Sequence, residues 1–151
     1  MAKNNRRNFL KIAAPAAALA VPLEAQQPAK KVYRRETPGK TPASTPVFNT
    51  AVSYGNLLFI AGMGAGAGFE GDIQAHTKSA LDRLEAALKL AGSSMEKVLK
   101  VTVFLADPND YQGMNEVYTG RFGNEPPVRS TVSVTAIPDH SKLEVECVAY
   151  I

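Results

Sequence analysis

Cysteine and histidine are scarce in this chain of 151 residues, which carries one cysteine, Cys147, and two histidines, His76 and His140. A single thiol excludes an intrachain disulfide. The histidines fall in a polar helical stretch and in a strand connection, and neither has metal-ligand spacing, so no metal site is expected. Asp72 and His76 are four residues apart and could touch across one helical turn. No apolar run is long enough to cross a bilayer. The glycine-rich run Gly62-Met63-Gly64-Ala65-Gly66-Ala67-Gly68 is followed by no Gly-Lys-Ser/Thr. It reads as a mobile loop beside a cleft rather than a phosphate cradle.

Residues 1–25 have the layout of an export signal peptide. Asn5-Arg6-Arg7-Asn8-Phe9-Leu10-Lys11 gives a charged start, an apolar segment runs from Ile12 to Val21, and small residues follow around Ala25. The paired arginines before Phe-Leu-Lys resemble a bacterial twin-arginine signal. The alternative is an amphipathic or disordered N-terminus that happens to carry Arg-Arg. Export implies a periplasmic protein that meets a membrane only in transit. It also changes the charge. The chain has 17 basic and 14 acidic side chains. Residues 1–25 hold Lys3, Arg6, Arg7 and Lys11 against Glu24, so 13 of each sign remain. That removes the basic surface a nucleic-acid partner would need. Lys30, Lys31, Arg34 and Arg35 then read as a solvated tail. Residues 26–45, rich in Pro, Lys, Thr and Ala and without apolar period, read as a flexible linker. Residues 46–151 suffice for one domain with one core.

In that domain, Val47–Ala61 reads as two short strands around the turn Tyr54-Gly55-Asn56-Leu57. Asp72–Ala91 reads as a helix whose stripe is Thr77, Leu81, Leu84, Leu88 and Ala91, stopped by Gly92. Val98–Leu105 alternates as a strand, with Val101, Val103 and Leu105 on one face. A second helix is expected from Tyr111 to Phe122, with Met114, Val117, Tyr118 and Phe122 as its stripe. Arg129–Ala136 and Leu143–Ile151 are expected to be the last two strands, antiparallel neighbours across Pro138-Asp139-His140. The order ββαβαββ describes an α+β fold, one sheet with both helices on one face. No segment remains to cover the other face, so a homo-oligomer is expected.

Chemistry-bearing residues collect in the last quarter. Pro127-Val128-Arg129-Ser130-Thr131 places an arginine at the mouth of a strand, and Glu144 and Glu146 share one face of the next. A guanidinium fork can hold a carboxylate by two parallel hydrogen bonds. Beside a possible general base, it is the minimum equipment for water chemistry on a small carboxylated molecule. The plainer reading of the same residues is a cross-strand Arg129–Glu144 salt bridge, worth at most about 1 kcal/mol if exposed. Cys147 falls on the face opposite Glu144 and Glu146, with Leu143 and Val145, and reads as a small core residue rather than a nucleophile.

Several ordered blocks resemble the reactive-intermediate deaminase (RidA) family. They are Gly55-Asn56 with the apolar strand ending at Gly62, and Ala91-Gly92-Ser93-Ser94-Met95-Glu96-Lys97-Val98 leading into Val101-Thr102-Val103-Phe104-Leu105. Asp110-Tyr111-Gln112-Gly113-Met114-Asn115-Glu116-Val117-Tyr118, Pro127-Val128-Arg129-Ser130 and Leu143-Glu144-Val145-Glu146-Cys147-Val148-Ala149 follow in order. The resemblance implies a chorismate-mutase-like homotrimer with clefts between subunits, and hydrolysis of enamines and imines such as 2-aminoacrylate to 2-keto acids and ammonia, with no cofactor. By position, Arg129 would grip the substrate carboxylate, Glu144 would orient or deprotonate the water, and Asn115 would line the cleft. Where active members carry a tyrosine, a serine and a cysteine, this chain has Phe48, Ala61 and Thr131, which alters the expected cleft and its substrate preference. A carboxylate-binding trimer without turnover is the alternative, and the ribonuclease activity of some relatives a third reading.

Overall fold

Alternation decides the sheet, and the computed structural model, which describes residues 27–35 and 45–151, follows it closely. In β6 (Leu143–Tyr150), Leu143, Val145, Cys147 and Ala149 are buried while Glu144, Glu146, Val148 and Tyr150 face away. In β4 (Val98–Leu105), Val101, Val103 and Leu105 point to the same buried side. β2 (Ala51–Tyr54) and β3 (Leu57–Met63) form a hairpin, and Gly55 at its turn adopts a φ of +61°, the left-handed region that glycine enters at little cost. The sheet order is β1-β2-β3-β6-β4-β5, a mixed sheet in which only β4 and β5 (Val128–Ser133) run parallel.

Two helices cover the buried face. α1 (Ile73–Leu90) begins at Asp72, whose Oδ1 accepts from the Ala75 amide at 2.8 Å, and ends at Ala91 ahead of a left-handed Gly92. Its predicted stripe of Thr77, Leu81, Leu84, Leu88 and Ala91 is buried. α2 (Tyr111–Tyr118) crosses close to α1 at Gly113, where an added Cβ would stand 2.6 Å from Ile73 Cγ2. Met114 is fully enclosed beneath it. Burial of each large apolar side chain contributes about 1.5–3 kcal/mol.

Three expectations need correction. Lys30–Tyr33, placed in a flexible linker by composition, forms β1, antiparallel to β2, with Val32 opposite Val52 and the Tyr33 hydroxyl 3.2 Å from Ser53 Oγ. The order is therefore βββαβαββ. α2 stops at Tyr118 rather than Phe122, because Thr119 leaves helical geometry at ψ 130° and Gly120 turns left-handed, although Phe122 is still buried. β5 and β6 are not neighbours either. β6 lies between β3 and β4, and β5 pairs with the far side of β4. The export signal of residues 1–25 and the remaining linker positions lie outside the described residues.

The face away from the helices is uncovered by any described segment. Phe59 lies beside Val148 and Val132 beside Phe104, and Leu57, Phe59, Val132 and Tyr150 are all substantially exposed.

Candidate functional site

The parallel register of β4 and β5 puts Arg129 opposite Val101 and Thr131 opposite Val103. Both residues therefore face the helices, at the sheet edge. Arg129 Nη2 donates to Asn115 Oδ1 at 2.8 Å and to the Tyr111 hydroxyl at 3.2 Å. Its guanidinium carbon lies 4.4 Å from the Tyr118 ring centre and 5.7 Å from that of Tyr111. Stacking and the Asn115 carbonyl fix the plane of the fork. Hydrogen bonds from Asn115 and Arg129 hold the exposed Tyr111 phenol below its ordinary pKa, whereas burial pushes that of Tyr118 up to about 12. No carboxylate among the described residues pairs with Arg129. Thr131 Oγ1 and the Tyr118 hydroxyl are buried nearby without hydrogen-bond partners among the described residues.

Glu144 belongs to the other face. It is paired with Phe104, which is paired in turn with Val132. Arg129 and Glu144 are thus two strands apart and three residues apart along them, roughly 14 Å between Cα positions, and their side chains leave opposite sides of the sheet. The cross-strand salt bridge does not form, and within one chain the clamp and the base are not side by side.

Around Glu144 is a cleft of about 670 Å³. Phe48, Ala61, Gly62, Arg35, Arg83 and Asp139 are among the residues that line it. Phe48, in the bend before β2, is 72% exposed. The Glu144 carboxylate lies directly over Gly62, where any Cβ would overlap it. The structure therefore sorts the sequence candidates into two groups: Arg129, Asn115 and Thr131 at the β5 edge, and Glu144, Phe48 and Ala61 in the cleft. Glu146 is exposed beyond Glu144 on the same face.

Other candidates resolve physically. Cys147 is buried, and burial, then the Glu146 charge, pushes its thiol up to about 12, which suppresses the nucleophilic thiolate. His76 is buried, with Nδ1 accepting from the Lys142 amide at 3.3 Å and its ring edge-on to Phe69; it meets Asp72 only through the backbone, its amide donating to the Asp72 carbonyl at 3.0 Å. The glycine-rich loop does border the cleft, but Ala65 pins it: its amide donates to Ser141 Oγ at 3.0 Å, and its carbonyl accepts from Ser79 Oγ at 2.8 Å. Gly66, Gly68 and Gly71 stand at G-x-G-x-x-G spacing ahead of α1. The Asp72 carboxylate already occupies that helix start, however, and puts negative charge where a pyrophosphate would sit.

Sequence reading missed Arg35, Arg83 and Tyr111. Arg35 stands in a stretch with the composition of a tail, and Tyr111 has the pattern of a helix start. Arg83 lies off the apolar stripe of α1, where a charged residue ordinarily faces solvent, so no sequence signal distinguished it.

The molecule is thus a small α+β domain with an arginine clamp at one sheet edge and a carboxylate-bearing cleft on the other face. Residues 38–151 match the family described as Endoribonuclease L-PSP. A RutC family protein of Pyrococcus abyssi is 38% identical over 116 residues, covering 74% of this chain and 91% of the relative. The 2-iminobutanoate/2-iminopropanoate deaminase of mouse is 34% identical over 115 residues, covering 73% and 85%. A solved structure of a Rid-family protein from Yersinia pestis superimposes with a TM-score of 0.71 at 30% identity, covering 82% of this chain and all of that one. The chain belongs to the RutC/RidA (L-PSP) family.

Proposed function

We propose that this protein hydrolyses 2-imino acids and their enamine tautomers to 2-keto acids and ammonia, in a homo-oligomer whose sites combine Arg129 of one copy with Glu144 of another. The observation that carries the reading is the arginine fork, planar, stacked on Tyr118, and without a carboxylate of its own among the described residues. Such a fork is preorganised for an external carboxylate. The mouse relative is named for deamination of 2-iminobutanoate and 2-iminopropanoate, members of this class. The uncovered apolar sheet face supports association, and a homotrimer is the proposed state.

In the proposed reaction, Arg129 holds the substrate carboxylate and Glu144 accepts a proton from water as its oxygen attacks the C=N carbon. A tetrahedral carbinolamine forms. Glu144 returns that proton to nitrogen and then takes the carbinolamine hydroxyl proton as the C–N bond breaks, so that ammonia leaves as the carbonyl forms. The imine carbon is already electrophilic, so orientation and one base suffice, the base contributing about 10²–10⁴-fold. Residues 1–25 would direct export to the periplasm, where imines released by amino-acid oxidation would be the substrates.

The test is complementation. Arg129→Ala and Glu144→Ala proteins should each be inactive toward 2-imino acids generated in place by an amino-acid oxidase and scored against semicarbazide trapping. Co-assembled at equal amounts, they should regain about a quarter of the parental activity, since random mixing restores one site in four. An active parent with no recovery on mixing would place both residues in one copy's site. A parent with no activity, yet with Arg129-dependent carboxylate binding, would favour a binding protein without turnover, the reading that Phe48 and Ala61 support by removing two hydroxyls from the cleft.

A further inference from the structure

Arg83 makes no ion pair among the described residues. It sits on α1 between Asp82 and Glu85, yet those carboxylates pair with Lys78, Lys89 and Arg121. Its Nε is buried and has no acceptor among the described residues. The guanidinium lies across Gly66, with Nη1 2.6 Å from the position a Cβ would take there. A guanidinium that only braced this loop would donate to loop carbonyls. Instead the Ala65 carbonyl is held by Ser79, and Arg83 Nε finds no acceptor among the described residues. A buried guanidinium donor without an acceptor is costly, and an anion bound in the cleft would supply the acceptor.

Arg83 lines the same cleft as Glu144, and Arg35 joins it there. The two offset the negative charge that Glu144 and Asp139 bring to the cavity. At about 670 Å³, the space belongs to the range that holds ligands much larger than a three-carbon acid. We propose that Arg83, assisted by Arg35, forms a second anion subsite in the Glu144 cleft, which selects 2-imino dicarboxylates of the kind that oxidation of acidic amino acids releases. This rests on the imine hydrolysis proposed above: Arg129 takes the carboxylate next to the imine, and Arg83 takes the distal one. Gly66 serves the subsite by leaving room for the guanidinium.

The experiment compares hydrolysis of imines generated from glutamate or aspartate with those generated from alanine or leucine, using the full chain, Arg83→Gln and Arg83→Lys. A charge-assisted contact of this kind should make Arg83→Gln lose about 10–100-fold in kcat/KM on the dicarboxylic imines, mostly through KM, and less than about threefold on the monocarboxylic ones. Arg83→Lys should recover part of the loss. Equal losses on both substrate classes, or no loss on either, would overturn the subsite while leaving imine hydrolysis in place. Retained activity on the monocarboxylic imines also certifies that the variant is folded. A parent that hydrolyses none of the imines refutes the reading beneath, and the subsite with it.

Discussion

Gly62→Ala tests whether the position of Glu144 over Gly62 is the working one. Gly62 has no left-handed φ, so the backbone tolerates alanine there. The new Cβ would, however, stand 2.5 Å from Glu144 Cδ and 3.0 Å from its Cγ. Carbon atoms in contact sit about 3.5–4.0 Å apart, so the carboxylate must retreat by about 1 Å. A misplacement of that size at a reacting group costs about 10²-fold in rate. Stability should change by less than about 1 kcal/mol, because what yields is the far end of a flexible, half-exposed side chain. The assay is kcat/KM for 2-imino-acid hydrolysis beside a denaturation midpoint. Glu144→Gln should lose at least as much activity as Gly62→Ala, and the double variant little more than Glu144→Gln alone, since both changes remove one group. Full activity in Gly62→Ala alongside an inactive Glu144→Gln would refute the placement. A loss in the double variant equal to the product of the single losses would show that Gly62 acts through something other than Glu144.

Arg129→Lys keeps the charge but gives up the planar fork and its stacking on Tyr118, and should lower kcat/KM about 10–100-fold without unfolding the protein, as hydrolysis and thermal melting would report. Cys147 should resist alkylation. With its thiol pushed up from 9.0 to about 12, folded protein at pH 8 should react with iodoacetamide about 10³-fold more slowly than unfolded chain, and comparable rates would refute its burial. The same raised pKa means that the unfolded state loses this proton first, so stability falls as pH rises from 9 toward 12. His76 has the opposite sign. Burial, then the Lys142 charge, lowers its pKa from 6.5, so the unfolded state protonates first and stability should fall as pH drops below about 6.5. Urea midpoints at pH 7.5 and 5.5 should show less of this fall in His76→Gln than in the parent.

Much of the fold was legible because period and burial coincide. The leucines of α1 and the valines of β4 sit where their spacing puts them, and Gly55 and Gly92 mark a turn and a helix end through their left-handed backbones. Three features were not legible, each for a physical reason. Lys30–Tyr33 has the composition of a linker, and becomes a strand only because β2 offers an unpaired edge to it. The shortness of α2 hides in Thr119 and Gly120, since Phe122 is buried whether or not the helix reaches it. The strand order is a property of pairing rather than pattern: β6 is apolar enough to be central, yet nothing local says which strands flank it.

That last point governs the site. Residues adjacent in sequence order, Arg129 at the start of β5 and Glu144 at the start of β6, suggest an adjacent clamp and base. With β4 inserted between them and the alternation out of phase, one meets the helices and the other meets the open face. A site that needs both must therefore be closed by a second copy, and the apolar face that carries Glu144 is the surface able to bring one. The same geometry hides Arg83 from the sequence pattern. It lines the Glu144 cleft from α1, against Gly66, rather than from a strand of the sheet, so neither helical period nor strand period connects the two. If the complementation between Arg129→Ala and Glu144→Ala succeeds, the clamp and the base lie in one site only in the assembly, and substrate selection by Arg83 becomes a property that no single chain could display.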